Sequence, residues 1–291
     1  MRRLLQFGVA ACLVGWLAWR YGALIPLIGA VTSAMPNPED GKVANGIYIN
    51  EYFDLSYPLP QGWTEGLAGP DPSHSGYYAL RTLIPRGELN ATILIAAQDA
   101  FFADKTHRDA AEAASDFRQA ISTVEGTTID REPLEMRIAS RLVQRVDFSG
   151  VGLHRAMFVA EMRCHLVSFN LTARDPELLA DLALSLNGLA FAGRAAAATA
   201  PACVKDYAVA ENVLQRVEPA IVGSAFTPIP VRIVIGVDGN VKQVHVIRAT
   251  AEQRSGIEQA LWQWKFRPYT VQGRAADVET GLVFRSKQMG M

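Results

Sequence analysis

The sequence predicts an α+β protein with an apolar N-terminal helix, and three observations support this fold class. The chain of 291 residues begins with a long apolar stretch. Most of the remainder consists of short segments in which apolar and polar residues alternate, the period of half-buried strands. A few separate segments have the 3.6-residue period of helices. Strands grouped in runs, with helices between the runs, favour antiparallel sheets with helices packed against them.

The first 34 residues are predicted to anchor the chain in a membrane. Leu4 to Trp19 is apolar, and a second apolar stretch continues to Ala34. A spanning helix needs about 20 apolar residues. Arg2 and Arg3 favour a cytoplasmic N-terminus. Everything after the anchor is then expected in the periplasm of a bacterial cell envelope, with the chain held in the inner membrane.

Two alternatives for this segment stay open. Thr32–Ala34 could be the small-residue cleavage site of a long signal peptide, which would release the protein into the periplasm. Cys12 follows a sequence similar to a lipoprotein box, although the apolar residues after it argue against lipidation there. All three interpretations place the folded part in the same compartment.

Changes in composition divide the rest of the chain. Residues 35–44 are polar and contain prolines, which predicts a linker, and residues 193–202 form an Ala-rich linker. Between them, residues 45–192 are predicted to form an antiparallel α/β sandwich. Residues 203–291 are predicted to form a small C-terminal domain.

The middle domain is predicted from alternating strands and two helical segments. Asp109 to Ser122 is helical by its alanines, and Asp175-Pro176-Glu177 begins a second helix that runs to about Leu186. The predicted strands are Tyr52 to Pro58, Tyr77 to Ile84, Ala91 to Ala97, Arg141 to Ser149, His154 to Arg163 and His165 to Thr172.

The C-terminal domain is predicted to have the order β-β-α-β. A valine-rich hairpin turns at Asp238-Gly239, a dipeptide suited to positive φ angles. The helix is expected from Glu252 to Phe266 and to be stopped by Pro268. Gln272-Gly273 predicts a turn before the last strand. The apolar face of the helix contains Ile257, Ala260, Leu261 and Trp264.

This series of motifs resembles the C-terminal domain of TonB-family energy-transducing proteins over about residues 203–287. The residues that carry the resemblance are Asp238, Gly239, Trp264, Phe266, Pro268 and Gly273. The resemblance implies a docking domain, in which a partner peptide adds a strand to an open sheet edge. Family members usually have a Tyr-Pro pair and an Ala-Arg helix before the hairpin, and 221–230 has neither. This departure concerns partner specificity more than the fold.

If the resemblance holds, the docking edge is the last strand. Its residues are Ala276, Asp277, Val278, Glu279, Thr280, Gly281, Leu282, Val283 and Phe284. Alternation places Asp277, Glu279 and Gly281 on one face and Val278, Thr280 and Leu282 on the other. The alternative is that Val213 to Pro219, or a second copy of the domain, covers this edge.

The middle domain carries a second resemblance. Pro60-Gln61-Gly62-Trp63 after an aromatic-rich strand, and the closing Leu186 to Phe191, are similar to the PsbP-like family over about residues 45–192. Members of that family are mostly non-catalytic envelope or assembly factors. This resemblance adds little about the reaction or the ligand.

The residues that could carry chemistry indicate no enzyme. The five histidines lie in different predicted elements, and there is neither a zinc-binding spacing nor a phosphate-binding loop, so no metal and no cofactor are expected. His165 and its neighbour Cys164 would point to opposite faces of a strand. Asp238 is interpreted as a turn residue, and Asp277 and Glu279 as solvent-facing.

Net charge and cysteine content bound the partners. A formal charge of −1 without a basic patch excludes a nucleic-acid footprint. Cys164 and Cys203 could pair in an oxidising compartment or remain as two free thiols, and the sequence leaves this open.

These observations predict a membrane-anchored periplasmic protein that docks a partner protein by strand pairing. The partner is expected to be a peptide of an outer-membrane receptor or a motor complex, in outer-membrane transport. Energy coupling is less well supported by the resemblance. In TonB-family transducers the membrane helix has polar residues, including a histidine, that engage a motor, and Leu4 to Trp19 has no histidine. A folded domain also takes the place of the long proline-rich spacer of that family. The alternative is an envelope scaffold or assembly factor that works through the middle domain without energy transduction.

Overall fold

The computed structural model describes residues 35–107, 109–191, 200–220 and 228–285. The predicted anchor in residues 1–34 and most of the Ala-rich linker therefore lie outside the described residues. Among the helices that are described, none is long and apolar enough to cross a membrane. The described residues from Pro36 onward belong to one compact unit, which is mixed α+β with mostly antiparallel sheets.

The N-terminal part of this unit contains two antiparallel sheets. A small sheet has the order β1-β2-β3-β11, and a larger one has the order β4-β5-β6-β10-β9-β8-β7. The small sheet consists of β1 (Lys42–Ala44), β2 (Ile47–Asn50), β3 (Leu55–Pro58) and β11 (Ala190–Phe191). The large sheet consists of β4 (Trp63–Glu65), β5 (Tyr77–Pro85), β6 (Ala91–Asp99), β7 (Thr127–Ile138), β8 (Arg141–Gly150), β9 (Leu153–Met162) and β10 (His165–Ala173).

Two helices accompany these sheets, close to the predicted positions. Helix α1 (Ala110–Ser122) begins at Asp109, whose side chain accepts a hydrogen bond from the Glu112 amide. Helix α2 (Pro176–Ser185) begins at Asp175, and its proline occupies the first turn, where no amide donor is needed. A short 3₁₀ turn, Leu186–Gly188, follows α2.

The sequence prediction missed five strands of this part, β1, β2, β4, β7 and β11. The missed β1 lies inside the predicted linker 35–44 and pairs with the equally missed β2, so part of that segment belongs to the fold. The missed β7 is an edge strand whose only buried side chain is Ile138. An edge strand that packs little against a core has no clear alternation of apolar residues.

The C-terminal part has one four-stranded sheet in the order β12-β19-β14-β15, and two strand pairs, β13-β16 and β17-β18. Strand β19 is antiparallel to β14 and parallel to β12. The elements are β12 (Ala202–Cys203), β13 (Val213–Gln215), β14 (Ile229–Ile235), β15 (Val241–Val246), α3 (Ala251–Leu261), β16 (Lys265–Phe266), β17 (Thr270–Val271), β18 (Arg274–Ala275) and β19 (Val278–Phe284); a 3₁₀ turn spans Ala210–Asn212.

The predicted end of the C-terminal helix is wrong. Helix α3 ends at Leu261, well before Pro268, which lies in an exposed loop. Lys265–Phe266 instead pairs with β13, and the Phe266 amide donates to the Gly239 carbonyl at 2.8 Å. Tertiary pairing of this strand overrides the helical propensity of the segment.

Both faces of the C-terminal sheet are covered, and every residue of β14 is buried. One face packs against α3 and the segment after it, in an apolar core that includes Val231, Ile233, Ile257 and Trp264. The opposite face packs against the N-terminal part of the same unit. The interface on that second face contains the side chains described next.

Candidate docking site and the interface beneath it

The predicted docking strand is not the outermost strand over its whole length. The short strand β12, Ala202–Cys203, pairs with the first two residues of β19. The Ala202 amide donates to the Asp277 carbonyl at 2.8 Å, and the Val204 amide donates to the Glu279 carbonyl at 3.0 Å. We call this two-residue strand the clasp. The segment that covers this part of β19 is thus not Val213 to Pro219, which contains β13.

The second half of β19, Gly281–Phe284, has no strand on its outer side among the described residues, and we call it the open segment. Pro230 lies opposite Val283 in the ladder between β14 and β19. Proline has no amide donor, and the Pro230 carbonyl accepts from Ile247 on the far side of β14. Val283 therefore belongs to a pair that exchanges no hydrogen bonds, and its own peptide groups point outward. Gly281, two residues earlier, points the same way.

The opposite edge of the sheet, β15, is occupied at both ends. Nη1 of Arg254 donates to the Val246 carbonyl at 2.6 Å, and Asn240 forms a bridge with Lys265. The open segment of β19 is therefore the better candidate for an added strand.

Side chains along β19 alternate between the two faces of the sheet, as predicted. The face that contains Glu279 and Gly281 is not exposed to solvent, because the N-terminal part of the unit covers it. Val278, Thr280 and Phe284 are buried on the helix side, where Oγ1 of Thr280 donates to the Lys205 carbonyl at 3.0 Å. Gly281 faces the N-terminal part so closely that an added Cβ would lie 2.8 Å from that of Phe101. Val283 is 50% exposed.

Two predicted site residues need a correction. Glu279, predicted to face solvent, is 3% exposed because the N-terminal part of the unit covers that face of the sheet. Asp277 is partly buried, accepts from the Val237 amide at 3.0 Å and pairs with Nζ of Lys242 at 2.8 Å. Ala276 is half-buried, and its amide donates to the Tyr269 carbonyl at 2.9 Å.

Glu279 belongs to a buried ionic cluster that links the two parts of the unit. Nη2 of Arg232 lies 2.8 Å from Oε1 of Glu279, and Nη1 donates to Oδ2 of Asp99. The Tyr52 hydroxyl donates to Oε1 of Glu279 at 2.9 Å. Nη2 of Arg163 lies 3.8 Å from Oε2 of the same carboxylate. We call these residues, with His165, the interface cluster: Tyr52, Asp99, Arg163, His165, Arg232 and Glu279.

Burial and charge shift the pKa values of this cluster in different directions. Burial alone would lower the pKa of Arg232, but Tyr52, Asp99 and Glu279 outweigh it and raise that pKa well above the usual value. Burial raises the pKa of Asp99, although Arg232 opposes this shift. Burial raises the pKa of Tyr52 as well. Arg232 is therefore the charge on which the other groups depend.

His165 is buried and neutral in this cluster. Its Nδ1 lies 2.7 Å from the Arg163 carbonyl, and a carbonyl can only accept, so Nδ1 carries the hydrogen. Burial lowers the pKa of His165 well below its usual value, and the positive charge of Arg232 lowers it further. Nε2 lies 3.7 Å from Oδ2 of Asp99. The histidine acts as a packing group, in contact with the rings of Tyr52 and Phe53.

The covalent question that the sequence leaves open is settled by a disulfide between Cys164 and Cys203, with Cα atoms 5.6 Å apart. The sequence predicts Cys164 as a strand residue, but Cys164 lies in the turn between β9 and β10. There Arg163 and Cys164 both have positive φ, 44° and 56°. Cys203 belongs to the clasp and is exposed. Because its sulfur is bonded to Cys203, Cys164 has no thiol that could pair with the His165 imidazole.

Further contacts fasten the interface at its edges. Nε2 of His245 lies 2.7 Å from Oε1 of Glu39, and Nε2 of Gln243 donates to Oδ1 of Asn37 at 3.2 Å. Burial alone would raise the pKa of Glu39, but His245 outweighs it and lowers the pKa. Glu39 and Asn37 lie in the predicted linker, which thus contributes to the interface.

The motif residues of the C-terminal domain have structural roles. Gly239 has φ of 76°, and an added Cβ would lie 2.1 Å from the Phe266 carbonyl oxygen, so only glycine fits. Asp238 accepts from the Asn240 amide at 3.0 Å and from its side chain at 2.7 Å. Gly273, with φ of 78°, forms the turn between β17 and β18. Nε1 of Trp264 donates to the Val217 carbonyl at 2.7 Å.

Sites for chemistry are few in the described part of the chain. It contains no group of three or more His, Cys, Asp or Glu side chains that could hold a metal ion. A pocket of about 350 Å³ lies beside the disulfide, lined among others by Ala103, His107, Met162 and both cysteines. The arrangement has one feature suited to recognition, the open segment of β19, and one feature capable of covalent chemistry, the disulfide.

Comparison with solved structures gives a partial likeness of fold. No protein-family model and no curated protein matches the chain. The solution structure of cyanobacterial PsbP (CyanoP) from Synechocystis sp. PCC 6803 is similar to 52% of this chain and 96% of its own, with 13% sequence identity and a TM-score of 0.38. The middle of the sequence resembles the same family. At this identity and TM-score the likeness carries no argument about function.

Proposed function

We propose that this protein is a non-catalytic docking protein of the bacterial envelope. It is held in the inner membrane by residues 1–34, and its TonB-like C-terminal domain binds an extended segment of a partner protein along β19. The observation that carries this proposal is the pair of outward-facing peptide groups at Gly281 and Val283. Each would gain hydrogen bonds from an added strand. The disulfide supports an oxidising compartment such as the periplasm.

The occupant is proposed to be a short extended segment rather than a folded surface. The open segment is only four residues long and is followed by the exposed Arg285. Val283 supplies an exposed apolar side chain beside the free peptide groups. A strand paired here gains main-chain hydrogen bonds, and side chains at alternate positions select among sequences.

Active energy transduction receives less support than docking. The interface cluster and the disulfide join the C-terminal sheet to the N-terminal part of one compact unit. A module joined in this way cannot reach further than the unit itself. This observation favours a second candidate function, an envelope scaffold or assembly factor in which both parts present one joint surface.

Photo-crosslinking in cells tests the docking proposal. A photoreactive residue replaces Val283 in the open segment, and a matched control replaces Val237, which is 47% exposed in the β14–β15 turn. The segment crosslinked to position 283, but not to 237, is then synthesised and added to the purified protein. We expect this peptide to slow amide hydrogen exchange at Gly281 and Val283. Equal capture at both positions, or unprotected amides, would refute the proposal.

The same experiment separates the other occupants. Crosslinks from position 283 to another copy of this chain would show that the edge serves self-association. Crosslinks to the last residues of the same molecule would show that its own tail covers the edge. Either result contradicts docking of a partner protein.

A further inference from the structure

The clasp is held by backbone hydrogen bonds to the last strand, by one disulfide, and by the segment that follows it, where the Lys205 carbonyl accepts from Oγ1 of Thr280 and the Tyr207 amide donates to the same hydroxyl. It spans two residues, and the amides of Ala202 and Val204 donate to the carbonyls of Asp277 and Glu279. The Cys164–Cys203 disulfide closes a separation of 39 residues across the interface. A two-residue strand without that bond belongs to the part of a protein that opens most readily.

The two cysteines are held very differently. Cys164 lies in the tight β9–β10 turn, whose other residue, Arg163, donates from Nη1 to the Tyr52 carbonyl at 2.8 Å. The Arg163 guanidinium also stacks 3.9 Å from the centre of the Tyr52 ring. Cys203 is exposed and lies in the clasp. Breaking the disulfide would therefore leave Cys164 in place and allow the clasp to separate from β19 as far as Lys205, whose carbonyl stays bonded to Thr280.

The disulfide is also accessible. Both cysteines line the pocket of about 350 Å³, so a thiol group can approach from solvent. Sγ of Cys164 lies 3.8 Å from Oε2 of Glu279, which can accept a hydrogen bond from the thiol of a reduced Cys164. Accessible disulfides are the ones that exchange with external thiols.

We propose that Cys164–Cys203 is a thiol–disulfide exchange site for a dithiol oxidoreductase, and that its reduction releases the clasp and lengthens the docking edge. This inference rests on the docking function proposed above. With the clasp released, the outward peptide groups of Asp277 and Glu279 become free together with those of Gly281 and Val283. A partner strand could then pair with the whole of β19.

The exchange balances in two steps. A thiolate of the oxidoreductase bonds to Sγ of Cys203, the Cys164–Cys203 bond breaks, and its electron pair leaves on Sγ of Cys164, which takes a proton from solvent. The second thiol of the oxidoreductase loses its proton to solvent and attacks the mixed disulfide. Cys203 leaves as a thiolate and is protonated. Two electrons pass to the protein, and the oxidoreductase becomes a disulfide.

The test uses the full chain and dithiothreitol, a simple dithiol, as the probe. Amide hydrogen exchange is measured at Ala202 and Val204 in the oxidised and reduced protein, with Ile247 as a control in the same sheet. We expect exchange at Ala202 and Val204 to become at least about tenfold faster on reduction, with Ile247 unchanged. The Cys164→Ser/Cys203→Ser variant should exchange like the reduced protein and should not respond to dithiothreitol.

Two outcomes would overturn the inference. One is a disulfide that dithiothreitol reduces only when Ile247 also loses protection, which would mean global unfolding. The other is a reduced protein in which Ala202 and Val204 remain protected. Crosslinking from position 283 in both redox states separates this result from the docking function. Equal docking in both states contradicts the redox inference alone, and no docking in either state contradicts the docking function.

Discussion

The two faces of the C-terminal sheet are both buried, but by different chemistry. The face toward α3 contains apolar side chains such as Val231 and Ile257. The face toward the N-terminal part contains Arg232, Glu279 and His245, which meet Asp99, Tyr52 and Glu39. An apolar face gains stability from burial alone. A charged face must match its partners one by one, so it makes the interface specific and sensitive to single substitutions.

The largest expected effect on this comparison comes from Arg232→Met. The substitution leaves Asp99 and Glu279 buried without their common cation. We expect the free energy of unfolding to fall by about 3–5 kcal/mol, measured by urea denaturation. Arg274→Met, in the exposed strand β18, is the matched control and should change stability little. An equal effect of both substitutions would contradict the role of the cluster.

A second prediction concerns the covalent tie between the two parts. The free energy of unfolding of the Cys164→Ser/Cys203→Ser variant should be about 2–4 kcal/mol lower, because the disulfide no longer closes a loop that restricts the unfolded chain. Thermal unfolding with and without dithiothreitol measures this. A reduced wild type that matches the variant supports the disulfide as the cause. No difference between oxidised wild type and the variant would mean that the bond does not constrain the chain.

The apolar face should respond more mildly to a conservative change. Ile257→Val removes one methyl group from the core between α3 and the sheet. We expect a loss of about 1 kcal/mol by denaturant titration. The same change should leave the crosslinking from position 283 unaltered. A loss comparable to that of Arg232→Met would remove the contrast between the two faces.

The smallest effect is expected in mild acid, at about pH 6, through His165. Its pKa is lowered in the folded state, so the unfolded chain takes up a proton near pH 6.5 that the folded protein does not. Stability should therefore fall as pH decreases below about 6.5. The size of this loss depends on the charges that face the His165 ring from Asp99, Arg232, Arg163 and His245. In His165→Gln, the free energy of unfolding should depend less steeply on pH between about pH 6.5 and 5. An unchanged slope would contradict this assignment.

The elements of this fold that can be predicted from the sequence are those with a clear local periodicity or turn motif. The sequence predicts the last strand within Ala276 to Phe284, and the structure has it over Val278–Phe284. The hairpin around Gly239 follows the dipeptide that marks it. The buried ring of Trp264 follows from its apolar pattern even though the helix ends earlier. Period and turn chemistry are local, so they can be deduced without knowing the partner surface.

The interface could not be predicted in the same way. A glutamate on an alternating strand, such as Glu279, normally faces water, and Arg232 is separated from Asp99 by 133 residues. The clasp lies in what reads as the end of an Ala-rich linker, and two residues carry no period. Cys203 was the only local signal for it. A disulfide partner cannot be chosen from sequence when free thiols remain possible.

The central claim is that peptide groups of the open segment bind a partner strand, and a backbone substitution tests it most directly. The peptide identified by crosslinking at position 283 is titrated against the wild type, Val283→Pro and Val283→Thr. Proline removes the outward amide at a position that makes no bond to β14, while threonine keeps it. We predict that Val283→Pro raises the dissociation constant of the peptide at least about tenfold and that Val283→Thr changes it by less than about twofold. Equal affinity of all three proteins would contradict the claim.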